Sequence, residues 1–188
     1  MSVLLALGAN VPGVWGGPYA TLQNALLLLA SEGFHNLKAS PMYRTKAFGQ
    51  VRQPPYFNLV VAAECALSPR QVLDIAKKIE RRSGRRLVGR NGPRPLDIDL
   101  IDYAGRIVNW PGGHKRPKLM LPHPLIADRP FVLVPLCDLA PRWRHPVTGL
   151  SARQLLGRHG GLRQILLRRE ISRVDSVPDP CDRVHNCA

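Results

Sequence analysis

Residues 2–8, SVLLALG, are a nearly unbroken apolar run that stops at glycine, the pattern of a buried strand. A loop rich in Gly and Pro follows, NVPGVWGGP. Leu22, Ala25, Leu26 and Leu29 then recur at helical spacing, which predicts a helix over 19–32 packed by one face. Segments 36–46 and 56–66 read as strands, with a loop around QVRQPP between them. The next helix has clear boundaries. Ser68 suits an N-cap, Pro69 the first helical position, and Gln71 completes a capping box. Val72, Ile75, Ala76 and Ile79 make its apolar stripe, and Gly84 ends it. An arginine-rich loop, RRSGRRLVGRNGPR, leads into a strand, PLDIDLIDYA.

The order strand, helix, strand, strand, helix, strand predicts an α+β fold, a ferredoxin-like βαββαβ sandwich with additional C-terminal elements. Two helices cover one face of the sheet, and the other face is left for a ligand or for the rest of the chain. Beyond residue 104, GRIVN reads as a further strand, LMLPHP as an extended segment, PFVLVPLCDLA as a helix, and LSARQLL as a short helix capped by Ser151 and Gln154. A single domain over 1–165 and a C-terminal extension over 166–188 are expected, with the polar stretch 172–188 disordered.

The 188 residues suit one domain, and a hydrophobic fraction of 45% is ordinary for a globular core. Charge adds more. Lys and Arg number 27 against 13 acids, a formal net charge of +14, so an anionic partner is expected: nucleic acid, a polyphosphate or a membrane surface. The stretch LLLLA is too short to span a bilayer, and the N-terminal run has no basic residue before it. Cys65, Cys137, Cys181 and Cys187 are too scattered for a disulfide framework or a close metal-ligand pair. A soluble protein in a reducing cytoplasm is the expectation.

Within GPRPLDIDL, residues 92–100, strand alternation sends Leu96, Ile98 and Leu100 to one face and Asp97 and Asp99 to the other. Two like charges side by side repel, so either they lie on a wet face or a cation sits between them. Magnesium takes carboxylate oxygens together with phosphate oxygens and water. Six arginines (81, 82, 85, 86, 90 and 94) fall within residues 81–94. Such a loop repels itself unless an anion neutralises it, and guanidinium forks match phosphate geometry. Alone, the acidic pair is equally a solvated strand face, and the arginine loop also has a solvated reading, the lesser of its two; together they favour a magnesium-polyphosphate site. Asn58 offers a donor and an acceptor to a heterocycle edge or is a satisfied buried amide. Tyr56 and Phe131 are stacking faces or core. His123 and Arg129 add candidate polar groups. A single-stranded RNA binder on an open sheet face is disfavoured by an aromatic content of 6%. A nucleotidyltransferase is disfavoured by the lack of a Gly-Ser signature.

GPRPLDIDL resembles the signature of the 6-hydroxymethyl-7,8-dihydropterin pyrophosphokinase family, and ALGAN, PMYRT, YFN, IE and LPHP…DRPF resemble further family motifs in the same order, over about residues 1–160. The resemblance implies transfer of pyrophosphate from ATP to the hydroxymethyl group of a dihydropterin, giving AMP, in folate biosynthesis. It implies that Asp97 and Asp99 bind two magnesium ions, with Asp97 also near the attacking hydroxyl. Arg94, Arg85 and Arg86 serve the phosphates, the last two on a closing loop, and His123 and Arg129 contact ATP. Arg85, Arg94, Asp97 and Asp99 form the implied catalytic set. Asn58 bonds the pterin edge between Tyr56 and Phe131, and main-chain groups around Thr45 and Phe48 complete the pocket. Glu80 orders the arginine loop. Asn91 and Pro124 depart from residues common in the family, a tryptophan and an aromatic. A monomer with neither nucleic-acid nor membrane partner is expected.

Overall fold

Alternation along the first strand divides the molecule into two apolar layers. In the computed structural model, which describes residues 1–46, 53–85, 92–109 and 119–159 and the backbone of 168–170, β1 (Ser2–Ala9) sends Val3, Leu5, Leu7 and Ala9 to one side and Leu4 and Ala6 to the other. The first layer lies under α1 (Pro18–Ser31) and α2 (Pro69–Arg82), the two helices that the periodicity predicts. The capping box at Ser68 and Gln71 is formed, and Gly84, at φ 89°, turns the chain out of α2.

The sheet is antiparallel. Its order is β5 (Asp97–Tyr103), β1, β4 (Tyr56–Glu64), β3 (Met42–Thr45) and β6 (Arg168–Glu170), with β2 (His35–Ala39) also on β4. The first four positions of this order, β5, β1, β4 and β3, are those of the expected βαββαβ sandwich, and β6 is added at the edge. The single strand expected over 36–46 is broken into β2 and β3 at Ser40–Pro41. Proline has no N–H for a ladder, and the Ser40 hydroxyl replaces backbone as the acceptor for the Val60 N–H, at 3.0 Å. GRIVN makes only a bridge, Val108 to Leu121, with both bonds at 2.9 Å. β6, which falls within the stretch 166–188, was not foreseen. Residues 171–188 lie outside the described ones.

The second face of the sheet is covered by the rest of the chain for most of its length. α3 (Pro130–Leu139) and α4 (Ala152–Gly157), both expected, pack Val132, Leu133, Leu136, Ala152 and Leu155 against Leu4, Ala6, Val60 and Ile101. The capping box of Ser151 and Gln154 is present. Ile101 joins this layer by alternation from Asp97 and Asp99, and a register shift in the β1–β5 pairing beyond it turns Tyr103 to the first layer beside Leu100. What α3 leaves uncovered is the end of the sheet where β5 begins. Cys65 and Cys137 are free thiols. No described helix is long and apolar enough to cross a membrane.

Candidate active site

At the uncovered end, three strands put a row of residues across the sheet: Asn58 on β4, Gly8 on β1 and Asp97 on β5. The next row on the same face is Val60, Ala6 and Asp99. Small residues on β1 therefore leave a trough between the amide of Asn58 and the two carboxylates. Neighbouring strands are about 4.8 Å apart, so the row spans about 10 Å from Asn58 to Asp97, the scale of a fused two-ring heterocycle with a short substituent. The trough is the floor of a cleft of about 420 Å³ lined by Gly8, Thr45, Tyr56, Asn58, Arg94, Asp97, Asp99, Asp128, Arg129 and Phe131, among others.

The carboxylates are on the same side of β5, as alternation requires, and Leu96, Ile98 and Leu100 are buried behind them. Their repulsion is relieved within the chain by guanidinium groups. Arg85 Nη1 lies 2.5 Å from Asp97 Oδ1, and Arg94 Nη1 lies 2.8 Å from Oδ2. Arg129 Nη1 lies 2.5 Å from Asp99 Oδ2. Burial alone raises the Asp97 pKa, but Arg85 and then Arg94 outweigh it and hold the carboxyl below the ordinary aspartate value. His123 sits beside Asp99, with Nε2 4.0 Å from Oδ2, while its Nδ1 accepts from the Leu125 N–H. Burial, with Arg129 adding to it and Asp99 opposing, lowers the His123 pKa.

Asn58 is 6% exposed and donates from Nδ2 to the Thr45 hydroxyl at 2.8 Å. Tyr56 and Phe131 both line the cleft. Phe131 also takes the Arg129 guanidinium at 5.9 Å from its ring centre. The arginine loop is fastened at its root by Glu80, in the last turn of α2. Its carboxylate is 3% exposed, accepts the Ile98 N–H at 2.8 Å and pairs with Arg85 at 2.8 Å and Lys77 at 2.8 Å. Burial nevertheless holds the Glu80 pKa above the ordinary glutamate value.

Thr45, Tyr56, Asn58, Arg94, Asp97, Asp99, Arg129 and Phe131 thus meet in one cleft. Arg85 and His123 reach it through the carboxylates they face. Phe48 and Arg86 lie outside the described residues. Sequence reasoning missed two residues. Gly8 is the gap in the central row: a Cβ there would stand 2.8 Å from Asn58 Oδ1. Asn10, 3% exposed, exchanges backbone and side-chain hydrogen bonds with Arg94 at 3.1 and 2.8 Å and donates to Gln53 and the Pro54 carbonyl. A glycine inside an apolar strand, and a buried amide directly after it, were the available signals.

The donor set suits magnesium. Two carboxylates share a face, and among the described residues no group of three His, Cys, Asp or Glu is placed to hold a metal. A magnesium ion held by this pair would take its remaining ligands from phosphate oxygens and water, the mixture it prefers.

Residues 4–141 match the family described as 7,8-dihydro-6-hydroxymethylpterin-pyrophosphokinase (HPPK). The 2-amino-4-hydroxy-6-hydroxymethyldihydropteridine pyrophosphokinase of Synechocystis sp. is 38% identical over 154 residues, covering 81% of this chain and 73% of that protein. Its counterpart in Porphyromonas gingivalis is 36% identical over 147 residues, covering 77% of this chain and 93% of that one. In fold, the chain is similar to the wild-type HPPK-DHPS of Plasmodium falciparum, with a TM-score of 0.62 at 16% identity, over 84% of this chain and 44% of the other. On the match across residues 4–141 and these identities, the chain belongs to the 7,8-dihydro-6-hydroxymethylpterin-pyrophosphokinase family.

Proposed function

We propose that this chain transfers a pyrophosphoryl group from ATP to 6-hydroxymethyl-7,8-dihydropterin, giving AMP and the pterin diphosphate, in folate biosynthesis. The observation that carries the proposal is the central row of the sheet, with the buried amide of Asn58 at one end and, at the other, a carboxylate pair matched to guanidinium groups.

The pterin ring lies over Gly8 between Tyr56 and Phe131. Asn58 Nδ2 is committed to Thr45, which leaves Oδ1 to accept from the ring's amino or N–H edge. Main-chain groups around Thr45, which lines the cleft, close this end. The hydroxymethyl group then points along the row toward Asp97. That carboxylate, held ionised by its arginines, accepts a hydrogen bond from the hydroxyl and aims its oxygen at the β-phosphorus. The new O–P bond forms as the hydroxyl gives up its proton along its hydrogen bond to Asp97 and the bond from the β-phosphorus to the α-phosphate oxygen breaks, and AMP leaves.

Two magnesium ions entering with ATP would be held by Asp97 and Asp99 and would supply positive charge to the phosphate oxygens. Arg85, Arg94 and Arg129, which now neutralise the carboxylates, turn to the phosphates, joined by Arg86, while His123 contacts the nucleotide. Binding would thus be an exchange of ion pairs: Asp97 and Asp99 would give up their arginines to hold the metal, and the arginines would turn from carboxylate to phosphate. Little charge is left unpaired at any stage, which suits a reaction driven by positioning and charge neutralisation. All of these residues come from one chain, so a monomer suffices. Residues 1–165 act as the working domain and 166–188 as an extension. The free thiols of Cys65 and Cys137 suit a reducing cytoplasm.

The test is product identity. Purified protein with magnesium, ATP and the hydroxymethyl-dihydropterin should release AMP and pterin diphosphate in equal amounts. Release of ADP instead, or of AMP without pterin, contradicts the proposal.

A further inference from the structure

Arg129 sits at a junction. It ends the 3-10 turn Ile126–Asp128 and opens α3 in the same residue, with a backbone (φ −119°, ψ 81°) that belongs to neither. Its direction toward Asp99 therefore depends on how the turn is held against the helix. The turn is only three residues long. Its own bonds use the carbonyls of His123, Leu125 and Ile126, at 3.0, 3.1 and 3.3 Å. The carbonyl of Ala127 is taken from elsewhere: His159 Nε2 lies 2.5 Å from it, across 32 residues of sequence. A carbonyl oxygen only accepts, so Nε2 carries the proton and donates.

His159 stands just beyond α4, in the part of the chain that follows the family match at residues 4–141. α4 is built to hold it there. A formed capping box fixes its start, and Ala152 and Leu155, 2% and 1% exposed, pack in one cluster with Ile126 of the turn and Leu133 and Leu136 of α3. The apolar contacts set the distance between turn and helix. The turn's rotation is left to directional bonds: on the helix side the Arg129 carbonyl accepts from Val132 and Leu133 at 2.9 and 3.0 Å, and at the middle of the turn the His159–Ala127 bond adds the restraint that comes from α4.

We propose that His159 is a positioning residue for the nucleotide side of the cleft: through the Ala127 carbonyl it fixes the turn that aims Arg129. This rests on the reading of Arg129 as an ATP contact. His159 is not among the residues that line the cleft, and the side chain whose aim it sets is Arg129, so its loss falls on ATP.

The experiment measures ATP and pterin affinity, turnover and melting temperature in full-length His159→Ala, His159→Gln, Arg129→Ala and the double variant. One hydrogen bond's worth of aim predicts that His159→Ala weakens ATP binding about five-fold. Pterin affinity stays unchanged, and the melting temperature stays within about 3 °C. His159→Gln, which keeps an N–H donor at similar reach, restores ATP affinity. Adding His159→Ala to Arg129→Ala changes nothing further, because the two act in series. The brace is overturned if His159→Ala binds ATP like the parent while Arg129→Ala does not. It is equally overturned if both substrates weaken together, if His159→Gln fails to rescue, or if the two changes add. An Arg129→Ala variant with full ATP affinity would instead overturn the reading of Arg129, and the brace with it.

Discussion

At Asp97 two guanidinium groups compete with burial for the charge of one carboxyl, and the guanidinium groups win. Taking the charge away leaves Arg94 without its carboxylate and Arg85 with Glu80 alone, and it removes a proposed metal ligand, so Asp97→Asn and Asp99→Asn should each lower turnover on the order of a thousand-fold. AMP release by chromatography checks this, and a circular-dichroism melt checks that the fold remains. Gly8 calls for the opposite change, an atom added. Its Cβ would press on Asn58 Oδ1 at 2.8 Å, so Gly8→Ala should weaken the pterin about ten-fold and leave ATP nearly unaffected, read by titration calorimetry. The aspartates and Arg94 were legible in sequence because period-two alternation is local, and Asn58 because an amide among apolar residues stands out. Gly8 and Asn10 were not. Their roles come from strand register and from loops that meet only in three dimensions.

Elements whose instructions are local came out as expected. Ser68, Pro69 and Gln71 start α2 where the sequence puts its start, and Gly84 ends it. Ser68→Ala should lower stability by about 1 kcal/mol by urea unfolding, with turnover unchanged, since the cap lies far along the helix from Glu80. The break between β2 and β3 was less legible, because it depends on the Ser40 hydroxyl meeting Val60 across the sheet. The turn before α4 has a pH dependence of its own. His145 Nδ1 accepts from the Val147 and Thr148 N–H groups at 3.2 and 3.3 Å, which needs the ring neutral, and burial, against the pull of Asp102, lowers its pKa. The unfolded chain binds that proton more readily. Stability from His145 is therefore full above its ordinary value of 6.5 and lost as pH falls through that value to the folded one. Asn at 145 offers the same two N–H groups an oxygen that does not titrate. His145→Asn should flatten the fall in urea midpoint between about pH 7.5 and 5.5, and an undiminished fall would contradict this account of the turn.

Across the whole molecule, 27 basic residues face 13 acidic ones, and the excess is partly spent at one end of the sheet. Long-range attraction of a polyanion is screened over about 8 Å at physiological salt, so ATP affinity should fall several-fold between about 50 and 300 mM salt, while pterin affinity holds. Fluorescence titration of both ligands checks the contrast. The sandwich itself was readable from element order. Its second layer was readable only as separate helices, since nothing local says that α3 and α4 fold back over the sheet and stop short of β5. That stopping point makes the cleft, and the cleft is where the account is most exposed. A crystal structure with magnesium and a non-hydrolysable ATP analogue tests it most directly. The account predicts metal between Asp97 and Asp99, with Arg85, Arg94 and Arg129 moved from carboxylate to phosphate oxygens. Nucleotide bound with the arginines still on the aspartates, or metal held elsewhere, would contradict it.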